Sequence, residues 1–498
     1  MRSAVSGRFD TLPELMDAAA RQIGKREAYV DGDRRMSFAE WVRAADGVAG
    51  LLAARGVERG DVVGLHLDPS IDYAVLCAAI VRLGAVATGI NPRLGPSERR
   101  AISERCRPRL VVSRDRTADE SAWAGGVEIP LTEIVAAESR SPRPPLAGVE
   151  PHEPVCIIWT SGTTGAPKGA WFDHRNQRAA VAAGGAMTEA FDRRISAIPM
   201  VHAGYMSKLW EQFEMGVTMV LSPTPWTAES MLACLVEERI TVAAGVPTQW
   251  AKLVEQPEIE KADLSALRIG LVATAPATPE LVERVVRTIG CPLVVRYAMT
   301  ECPSITGTEP GDPADVQNRT VGRAQAGMQV EIVDEAGQPL AAGETGRIRV
   351  RGPCVMRGYW EDPERTADVL SADAVLSTSD LGRIDPDGHL VLAGRLDDMY
   401  IRGGYNVYPV EVENALSKHP AVGQAAVVGL ATEVIGEIGV AFVVPVDPET
   451  LPSLEVLRDF VAKQLADYKR PDRLEILEAL PLTAMLKIDK NALRARLG

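Results

Sequence analysis

The chain has 498 residues, which is too long for a single hydrophobic core and predicts two or more domains. An apolar fraction of 46% and a charged fraction of 24% are typical of an ordinary globular protein. The net charge of -13 argues against a nucleic-acid partner, and no uncharged apolar run is long enough to predict a membrane span.

The first 135 residues alternate between helix and strand patterns. One helix is predicted over TLPELMDAAARQIG, with Thr11 as N-cap and Glu14 three positions on. A second is predicted over SFAEWVRAADGVAGLLAARG, with Ser37 and Glu40 in the same relation and a stop at Gly56. A strand over DVVGLHL, a buried helix over IDYAVLCAAIVRLGAV and a strand over PRLVVS follow. This alternation predicts an α/β fold with a largely parallel sheet.

A proline-rich polar loop over 138–154 precedes the strand VCIIW, and the alternation then resumes to about residue 300. The strands predicted there are ISAIPM, VTMVLS, ITVAAGV, LRIGLVA and PLVVRYA. From about residue 320, VEIVDEAGQPL, GRIRVRGP and GRIDPDGHLVLAG predict antiparallel hairpins with turns at EAGQ and PDGH. The final segment of about 100 residues has helix patterns over VYPVEVENALSKHP and SLEVLRDFVAKQL and strand patterns over VGQAAVVGL and GVAFVVP. It is long enough for a small α+β domain.

Seven cysteines are scattered along the chain without a CxxC pair. Their odd number and spacing argue against a disulfide framework and against a structural zinc site. The first residues, MRSAVSGRFDTLPELMDAAARQIG, lack the apolar core of a secretory signal. The sequence therefore predicts a cytoplasmic protein with reduced thiols.

The stretch WTSGTTGAPKGA, from Trp159 to Ala170, has three glycines, four hydroxyl side chains and one lysine directly after a predicted strand. Glycines let backbone N–H groups turn toward an anion, and the hydroxyls and Lys168 add donors and positive charge. Because Pro167 precedes this lysine and Gly169 follows it, the spacing is not that of the Walker A loop. The stretch is interpreted as an anion-binding loop of another type, with a plain flexible loop as the alternative.

The segment TSGTTGAPKGA resembles the phosphate-loop signature of the adenylate-forming (ANL) superfamily, in the branch of acyl-CoA synthetases and AMP-dependent ligases. Four further segments resemble motifs of this family and follow the family's order. They are YAMTE (297–301), GRIRVRGPCVMRGYW (346–360), the block over 377–413 and LPLTAMLKIDK (480–490). Five motifs in order over nearly the whole length make the resemblance specific.

The resemblance implies an acid–thiol ligase, an AMP-forming acyl-CoA synthetase. Such an enzyme joins a fatty, aryl or cyclic carboxylic acid to the α-phosphate of ATP with release of pyrophosphate. It then transfers the acyl group to the thiol of CoA with release of AMP. ATP, Mg²⁺ and CoA as co-substrate are implied, since cations and backbone dipoles must neutralise the charge that develops. The implied partners are these small molecules and an acyl carrier protein as an alternative acceptor, with the chain a monomer or homodimer.

The resemblance also implies how the chain divides. An N-terminal adenylation domain over 1–396 would bind ATP and the acyl substrate, and would combine parallel-type α/β subdomains with a small antiparallel β subdomain. A small mobile α+β domain over 397–498 would carry the catalytic lysine. Asp397 occupies the family's hinge position, where a few residues absorb the rotation between domains.

The site residues of the family carry over position by position. Lys487 would bridge the acid carboxylate and the α-phosphate, with Thr300 and Glu301 completing the catalytic group. Glu301 and Thr160 would hold Mg²⁺, and Asp380 would accept the ribose hydroxyls. The implied ATP- and AMP-binding residues are Thr160, Ser161, Gly162, Thr163, Thr164, Gly165, Lys168, Ala273, Thr274, Ala275, Pro276, Tyr297, Ala298, Met299, Thr300, Asp380, Arg395 and Lys487.

The acyl and acceptor sites are implied in the same way. CoA would pass Arg402, Gly403 and Gly404, whose glycines allow close approach to the backbone. The segments PMVHAGYMSKLW and GVPTQW would line the acyl pocket, with core packing as the alternative. The pocket residues are His202, Tyr205, Met206 and Trp250. Their character favours an apolar or aromatic acid.

Three positions depart from the family pattern. Leu486, Ser379 and Ala298 stand where the family usually has glycine. Every charged group of the motifs is retained, which favours an active enzyme. Two alternatives stay open. One is an acyl-adenylate former that serves a carrier-protein thiol, an amine or another nucleophile, and the other is a degenerate nucleotide-binding protein without catalysis.

Overall fold

The computed structural model describes residues 3–114, 123, 126–137, 148–160, 167–196, 199–272, 279–396, 398–403, 405–432, 436–483 and 488–497. Within these ranges, no helix combines the length and the apolar character needed to cross a membrane.

The strands, in chain order, are β1 Glu27–Asp31, β2 Arg34–Ser37, β3 Val62–His66, β4 Val86–Gly89, β5 Leu110–Ser113, β6 Val127–Pro130, β7 Pro154–Thr160, β8 Lys168–Asp173, β9 Arg193–Ser196, β10 Thr218–Leu221, β11 Val242–Gly245, β12 Ile269–Val272, β13 Leu293–Met299, β14 Cys302–Gly307, β15 Arg323–Ala324, β16 Gln329–Val333, β17 Gly346–Arg351, β18 Gly358–Tyr359, β19 Val375–Ile384, β20 Leu390–Arg395, β21 Tyr400–Arg402, β22 Tyr405–Val407, β23 Val422–Thr432, β24 Gly436–Pro445 and β25 Arg473–Ile476.

The helices are α1 Leu12–Gln22, α2 Phe38–Ala54, α3 Ile71–Arg82, α4 Pro96–Cys106, α5 Leu131–Ala137, α6 His174–Ala182, α7 Ala203–Met206, α8 Leu209–Met215, α9 Ala228–Glu237, α10 Pro247–Val254, α11 Pro279–Ile289, α12 Ala314–Arg319, α13 Pro363–Val369, α14 Pro409–Leu416, α15 Leu454–Ala462 and α16 Lys490–Ala495.

One large sheet has seven strands in the order β18-β8-β7-β4-β3-β5-β6. Strands β3 to β7 run parallel to one another. Strand β8 returns antiparallel to β7, and the short β18 adds to β8. The α/β fold with a largely parallel sheet is therefore confirmed.

A second large sheet has nine strands in the order β15-β14-β13-β12-β11-β9-β10-β1-β2. Strands β1, β10, β9, β11, β12 and β13 are parallel, while β2, β14 and β15 add antiparallel edges. The carboxyl ends of the parallel strands meet at one edge, which is where ligands bind in sheets of this kind. The YAMTE segment comprises the last three residues of β13 and the turn of Thr300 and Glu301 that leads to β14 at this edge.

Two smaller sheets follow. The antiparallel sheet β16-β17-β19-β20 contains both predicted hairpin turns. The Asp334 N–H donates to the Gln338 carbonyl at 2.9 Å, and the Asp385 N–H donates to the His389 carbonyl at 2.9 Å. The last sheet, β22-β21-β24-β23 with β25 beside β24, packs against α14 and α15 through a core of its own. Both results agree with the predicted antiparallel subdomain and small α+β unit.

The start of α2 agrees with its sequence pattern, and the end of α3 does not. The Glu40 N–H donates to Ser37 Oγ and the Ser37 N–H donates to the Glu40 carboxylate, which forms the predicted capping box. The helix predicted over IDYAVLCAAIVRLGAV ends at Arg82, because Gly84 adopts a φ of +67° and turns the chain. Val86 then begins β4, a strand that the apolar pattern did not separate from the helix.

A buried ion-pair cluster ties α8 to β9. The Glu211 side chain is 1% exposed, and its Oε1 lies 2.9 Å from Arg194 Nη2. Its Oε2 lies 3.2 Å from Lys208 Nζ, and the Thr188 hydroxyl also donates to the carboxylate. Burial by itself would raise the pKa of Glu211, but the two cations and the hydrogen bonds together lower it to about 2. The carboxylate is therefore charged in the folded state.

We expect Glu211→Gln to lower the free energy of unfolding by roughly 3–5 kcal/mol at pH 7, because two cations lose their shared partner. The folded-state pKa of about 2 lies below the ordinary 4.5, so the carboxylate contributes its full stability above pH 4.5. That contribution is lost as the pH falls from 4.5 toward 2, and the gap between wild type and variant should narrow there. Thermal denaturation across pH measures both effects.

The matched control is Glu104→Gln, which removes an ion pair with Arg100 in which both side chains are about half exposed. It should change the free energy of unfolding by less than about 0.5 kcal/mol. Equal melting temperatures for wild type and Glu211→Gln at pH 7 would show that the buried cluster does not stabilise the fold.

Candidate functional site

The predicted phosphate loop is carried by the β7–β8 hairpin. Thr160 at the end of β7 pairs with Lys168 at the start of β8, so the strand residues that flank the loop lie opposite each other. The Lys168 ammonium lies 5.5 Å from the centroid of the Tyr359 ring, within the range of a cation–π contact. The predicted Ser161, Gly162, Thr163, Thr164 and Gly165 lie outside the described residues.

The same tyrosine positions the acidic residue of the YAMTE turn. Glu301 is 8% exposed, and its Oε1 accepts a hydrogen bond of 2.8 Å from the Tyr359 hydroxyl. Its backbone carbonyl accepts a hydrogen bond of 2.8 Å from the Met356 N–H. Burial, together with the charge of Glu301, raises the pKa of Tyr359, so the phenol keeps its proton and donates. Lys168 and Glu301 are thus connected through one ring.

Tyr359 is a site residue that the motifs did not predict. It lies in β18, where it pairs with Ala170, and Gly358 pairs with Trp171. A strand of two residues has no periodicity from which its direction could be inferred. The one signal was its place near the end of GRIRVRGPCVMRGYW, a segment that already resembled a family motif.

A second group of side chains joins the YAMTE turn to the antiparallel sheet. The Tyr297 hydroxyl donates to Asp380 Oδ2 at 2.6 Å, and Arg395 Nε lies 3.2 Å from Asp380 Oδ1. Asp380 and Arg395 face each other in the register of β19 and β20. The structure therefore brings together three residues that the resemblance assigned to the nucleotide, although their contacts with a nucleotide stay predictions.

One departure from the family pattern has a structural role here. Ser379, which stands where the family usually has glycine, accepts a hydrogen bond of 2.8 Å from Arg395 Nη2. Burial, followed by the charge of Asp380, raises the pKa of Tyr297, so its hydroxyl remains a donor. Ala298 is exposed at the same turn.

The residues present fit a Mg²⁺ ion that is shared with substrate. No group of three or more His, Cys, Asp or Glu side chains within the described ranges forms a protein-only metal site. Mg²⁺ is commonly held by one or two carboxylates with substrate phosphates and waters. Glu301 and the hydroxyl of Thr160 match that donor set, and Thr300 lies half-buried in the turn beside Glu301. These assignments stay predictions.

The predicted acyl-pocket residues around α7 lie in or beside the core. The His202 carbonyl accepts from the N–H groups of Tyr205 and Met206 at the start of the helix. The hydroxyls of Tyr205 and Tyr29 are 2.8 Å apart, and the Tyr73 hydroxyl donates to Met206 Sδ at 3.4 Å. At least part of this segment is therefore core packing, and its role as a pocket wall stays a prediction.

Trp250 packs beneath the nine-stranded sheet. It is 2% exposed, and its Nε1–H donates to the Leu271 carbonyl at 3.0 Å. A Cβ at Gly270 would come within 2.9 Å of its ring, so this glycine allows the indole to approach the strand. Its contact with an acyl group also stays a prediction.

In the last part of the chain, Arg402 is held by an acidic partner. Its Nε and Nη2 form bonds of 2.8 and 2.6 Å with the two carboxylate oxygens of Asp472. The Gly439 N–H and the Arg458 guanidinium approach the same carboxylate. Gly403 adopts a φ of +58° with open space where a side chain would be, and its contact with CoA stays a prediction.

The remaining predicted residues lie outside the described part of the chain. They are Ala273, Thr274, Ala275, Pro276, Asp397, Gly404 and Lys487, together with the variant position Leu486.

The residues that flank this lysine and the predicted hinge are connected. Leu482 and Ile488 form a β-bridge across the lysine segment. Just after it, Lys490 Nζ lies 2.8 Å from Glu413 Oε1 and 3.7 Å from Asp398 Oδ2. Asp398, next to the predicted hinge, also forms an ion pair of 3.2 Å with Arg494 of α16.

Tyr359→Phe should weaken the binding of Mg·ATP on the order of tenfold or more, because the Glu301 carboxylate loses a hydrogen bond to a charged group. Titration calorimetry measures the change. The matched control is Tyr29→Phe, which removes a buried hydroxyl that donates to Gln212 Oε1 at 2.7 Å in the core. The control should lower the melting temperature without altering Mg·ATP affinity, and equal affinities for Tyr359→Phe and wild type would rule out the positioning role.

Comparison with known proteins identifies the family to which the chain belongs. The chain matches the AMP-binding enzyme family over residues 16–360 and the AMP-binding enzyme C-terminal domain over 411–487. It is 34% identical to the indoleacetate–CoA ligase of Aromatoleum aromaticum, covering 97% of each chain. It is 33% identical to the feruloyl-CoA synthase of an Amycolatopsis species, covering 96% of this chain and 97% of that protein. ATP-bound MatB from Rhodopseudomonas palustris is 27% identical, with a TM-score of 0.89 over 97% of this chain and 98% of MatB. The chain belongs to the AMP-binding enzyme family, within the adenylate-forming superfamily that its motifs resemble.

Proposed function

We propose that this protein is an AMP-forming acid–CoA ligase. A carboxylate oxygen of the acid attacks the α-phosphorus of ATP, and the bond from that phosphorus to the bridging oxygen breaks to release pyrophosphate. The CoA thiol then loses its proton, and its sulfur attacks the acyl carbonyl carbon of the adenylate. The acyl–phosphate oxygen bond breaks and AMP leaves.

The observation that carries this proposal is the segment over 297–301, the end of β13 and the turn after it, which joins two groups of side chains. At one end, Tyr297 bonds to Asp380, beside Arg395. At the other end, Glu301 bonds to Tyr359, whose ring contacts Lys168 of the phosphate hairpin. One short turn thus connects a carboxylate suited to ribose hydroxyls with a cation suited to phosphates. This order of groups fits a nucleotide that extends from ribose to triphosphate along the segment.

In the first half-reaction, the chain's own residues would orient ATP and the acid and neutralise the negative charge on the phosphates. The β7–β8 hairpin with Lys168 would hold the part of ATP that leaves as pyrophosphate. Asp380 would fix the ribose, and Thr300 would donate to the α-phosphate as negative charge develops there. Mg²⁺ bound at Glu301 and Thr160 would supply charge neutralisation between the phosphate oxygens. Lys487 would bring the acid carboxylate to the α-phosphate.

The names of the relatives support CoA as the acceptor, since both are CoA ligases or synthases. Their names also fit an aryl or cyclic acid as substrate. A cytoplasmic location and a monomeric or homodimeric state stay predictions, as does the division of the chain at residue 397. Catalysis is favoured over a degenerate nucleotide-binding role because Glu301 has its hydrogen bond to Tyr359 and Asp380 has its ion pair with Arg395.

A second acceptor class has one observation in its favour. The Arg402 guanidinium binds both carboxylate oxygens of Asp472 through its Nε and Nη2, so these two nitrogens already have a partner in the same domain. A carrier-protein thiol or an amine does not present the phosphates of CoA, so its binding would not require Arg402 as a cation. CoA and the alternative acceptors can be distinguished by which of them causes AMP release when it is added.

The test is exchange of labelled pyrophosphate into ATP with a panel of fatty, aryl and cyclic acids, followed by addition of acceptors. We expect exchange with at least one class of acid and AMP release on addition of CoA. Release with an amine or a phosphopantetheine carrier protein, but not with CoA, would replace the acceptor in this proposal. Nucleotide binding without exchange for any acid would support the degenerate protein.

Lys487→Ala should lower pyrophosphate exchange by roughly a thousandfold, because the charge that forms at the α-phosphate loses its cation. The same variant should convert preformed acyl-adenylate and CoA to product at nearly the wild-type rate. Lys463→Ala, at an exposed position after α15, is the matched lysine control and should leave both half-reactions unchanged. Equal loss of both half-reactions in Lys487→Ala would remove its assigned role.

A further inference from the structure

We propose that Asp173 is a positioning residue for Mg·ATP, because it holds the segment over 353–359, here called the strap, in the place from which Tyr359 orients Glu301. The inference rests on the proposed function, in which Glu301 holds the metal ion that accompanies ATP. The Asp173 side chain is fully buried at the start of α6, so it acts on ligands only through other residues.

The strap depends on its neighbours for its position. It follows β17 and forms no helix or strand before Gly358. Strand β18 consists of Gly358 and Tyr359 alone, which pair with Trp171 and Ala170 of β8. Two residues are fewer than strands of globular proteins usually have, so contacts outside the sheet must contribute to the orientation of Tyr359.

One side of the strap is bound by the start of α6. Asn176 Nδ2 donates to the Pro353 carbonyl at 2.7 Å and to the Val355 carbonyl at 3.0 Å. Asp173 accepts two bonds from Arg357, at 2.9 Å from Nε to Oδ2 and at 3.2 Å from Nη2 to Oδ1. The first turn of one helix therefore binds the strap at positions 353, 355 and 357.

The other side of the strap is bound to Glu301. The Met356 N–H donates to the Glu301 carbonyl at 2.8 Å, and the Tyr359 hydroxyl donates to its Oε1 at 2.8 Å. One bond fixes the backbone of the acidic residue and the other fixes its side chain. Because the strap lies between α6 and Glu301, a shift of the strap would disturb both bonds.

The two side chains of α6 that bind the strap also bind each other. The Asn176 N–H donates to Asp173 Oδ1 at 2.9 Å, and the Asp173 N–H donates to Asn176 Oδ1 at 3.0 Å, which forms a capping box. Arg175 Nη2 reaches Asp173 Oδ2 at 2.8 Å from a side chain that is 54% exposed. Charge-assisted bonds to a buried carboxylate are strong and have defined geometry, so Asp173 fixes the direction of Arg357.

Apolar packing also holds the strap, and it has a different effect. Cys354, Val355 and Met356 are 1–3% exposed and pack into the main core. Burial of apolar surface is not directional, so it keeps the strap in the core without setting the angle at which the chain enters β18. A residue that only stabilises the fold would affect the binding of all ligands alike. A positioning residue would affect Mg·ATP selectively.

The test is titration calorimetry of Mg·ATP and of AMP with wild type and Asp173→Asn. Asparagine still caps α6, so the substitution chiefly removes the charge that holds Arg357. We expect the affinity for Mg·ATP to fall on the order of tenfold, because Glu301 loses its fixed orientation. The affinity for AMP should change by less than about twofold, since AMP lacks the phosphates that would share the metal ion with Glu301. Arg357→Met should reproduce this result, and Arg357→Lys should fall between.

The path through the strap is tested by combining two substitutions. In a Tyr359→Phe background, Asp173→Asn should weaken Mg·ATP binding by less than about threefold further, because the hydroxyl through which Asp173 acts is already absent. If the two losses of affinity instead multiply in full, the action of Asp173 does not pass through Tyr359 and the proposal is wrong.

Two control variants separate positioning from stability. Arg175→Met removes the other cation of Asp173 without touching the strap, and should leave the affinity for Mg·ATP unchanged. Asp192→Asn breaks a second buried pair of the same kind, in which Arg268 Nε lies 2.9 Å from Asp192 Oδ1. Asp192 directly precedes β9, at the amino ends of the parallel strands and away from the site. This variant should lower the melting temperature as Asp173→Asn does, without changing either affinity.

The outcomes for the strap and for the ligase function are distinguishable. Equal Mg·ATP affinities for wild type and Asp173→Asn, or a parallel loss of Mg·ATP and AMP binding, overturn the positioning role and leave the ligase function standing. A wild type that binds Mg·ATP but exchanges no pyrophosphate with any acid overturns the ligase function, while the binding data still decide the role of Asp173. A wild type that does not bind Mg·ATP overturns both.

Discussion

The hydrogen bond from Tyr359 to Glu301 holds together three parts of the site that are far apart in sequence. Glu301 lies in the turn after β13, Tyr359 in β18, and Lys168 opens β8. Because β18 also pairs with β8, the phosphate hairpin and the acidic turn belong to one continuous framework that links the two large sheets. A bond between a neutral donor and a buried carboxylate is well suited to this task, since it fixes the carboxylate without cancelling its charge.

Strand β13 has different chemistry on its two faces. On one face, Tyr297 reaches the Asp380 carboxylate, which is also paired with Arg395. On the other, Arg296 lies against the 184–187 turn and donates from Nη2 to the Gly184 carbonyl. Because alternation sends neighbouring side chains in opposite directions, one strand contributes Tyr297 to the predicted nucleotide residues and Arg296 to the packing of the 184–187 turn.

Local signals predicted the regular elements well. The Ser37 and Glu40 capping box and the Asp385 to His389 hairpin turn both depend on residues close in sequence, so their patterns could be recognised directly. Strand β4 was not separated from α3, because the whole apolar run is buried and only the turn at Gly84 divides it. Tertiary contacts were beyond the reach of such patterns.

The site residues also divide into those that the motifs predicted and those whose contacts depend on the tertiary structure. The motifs predicted Asp380 and Arg395, and the structure brings them face to face. They could not predict that Ser379 would bind Arg395, because this bond depends on the exact register of the β19–β20 hairpin. They also could not predict that Arg402 would bind Asp472, which lies 70 residues further along the chain.

The contacts of the final helix have a mechanical consequence. Asp398, adjacent to the predicted pivot, pairs with Arg494, while Lys490 bridges Asp398 and Glu413. These ion pairs hold α16, which begins just after Ile488 of the Leu482–Ile488 bridge. These pairs join the two ends of the last hundred residues, so a rotation at the predicted pivot would move α16 and Ile488 together with Asp398.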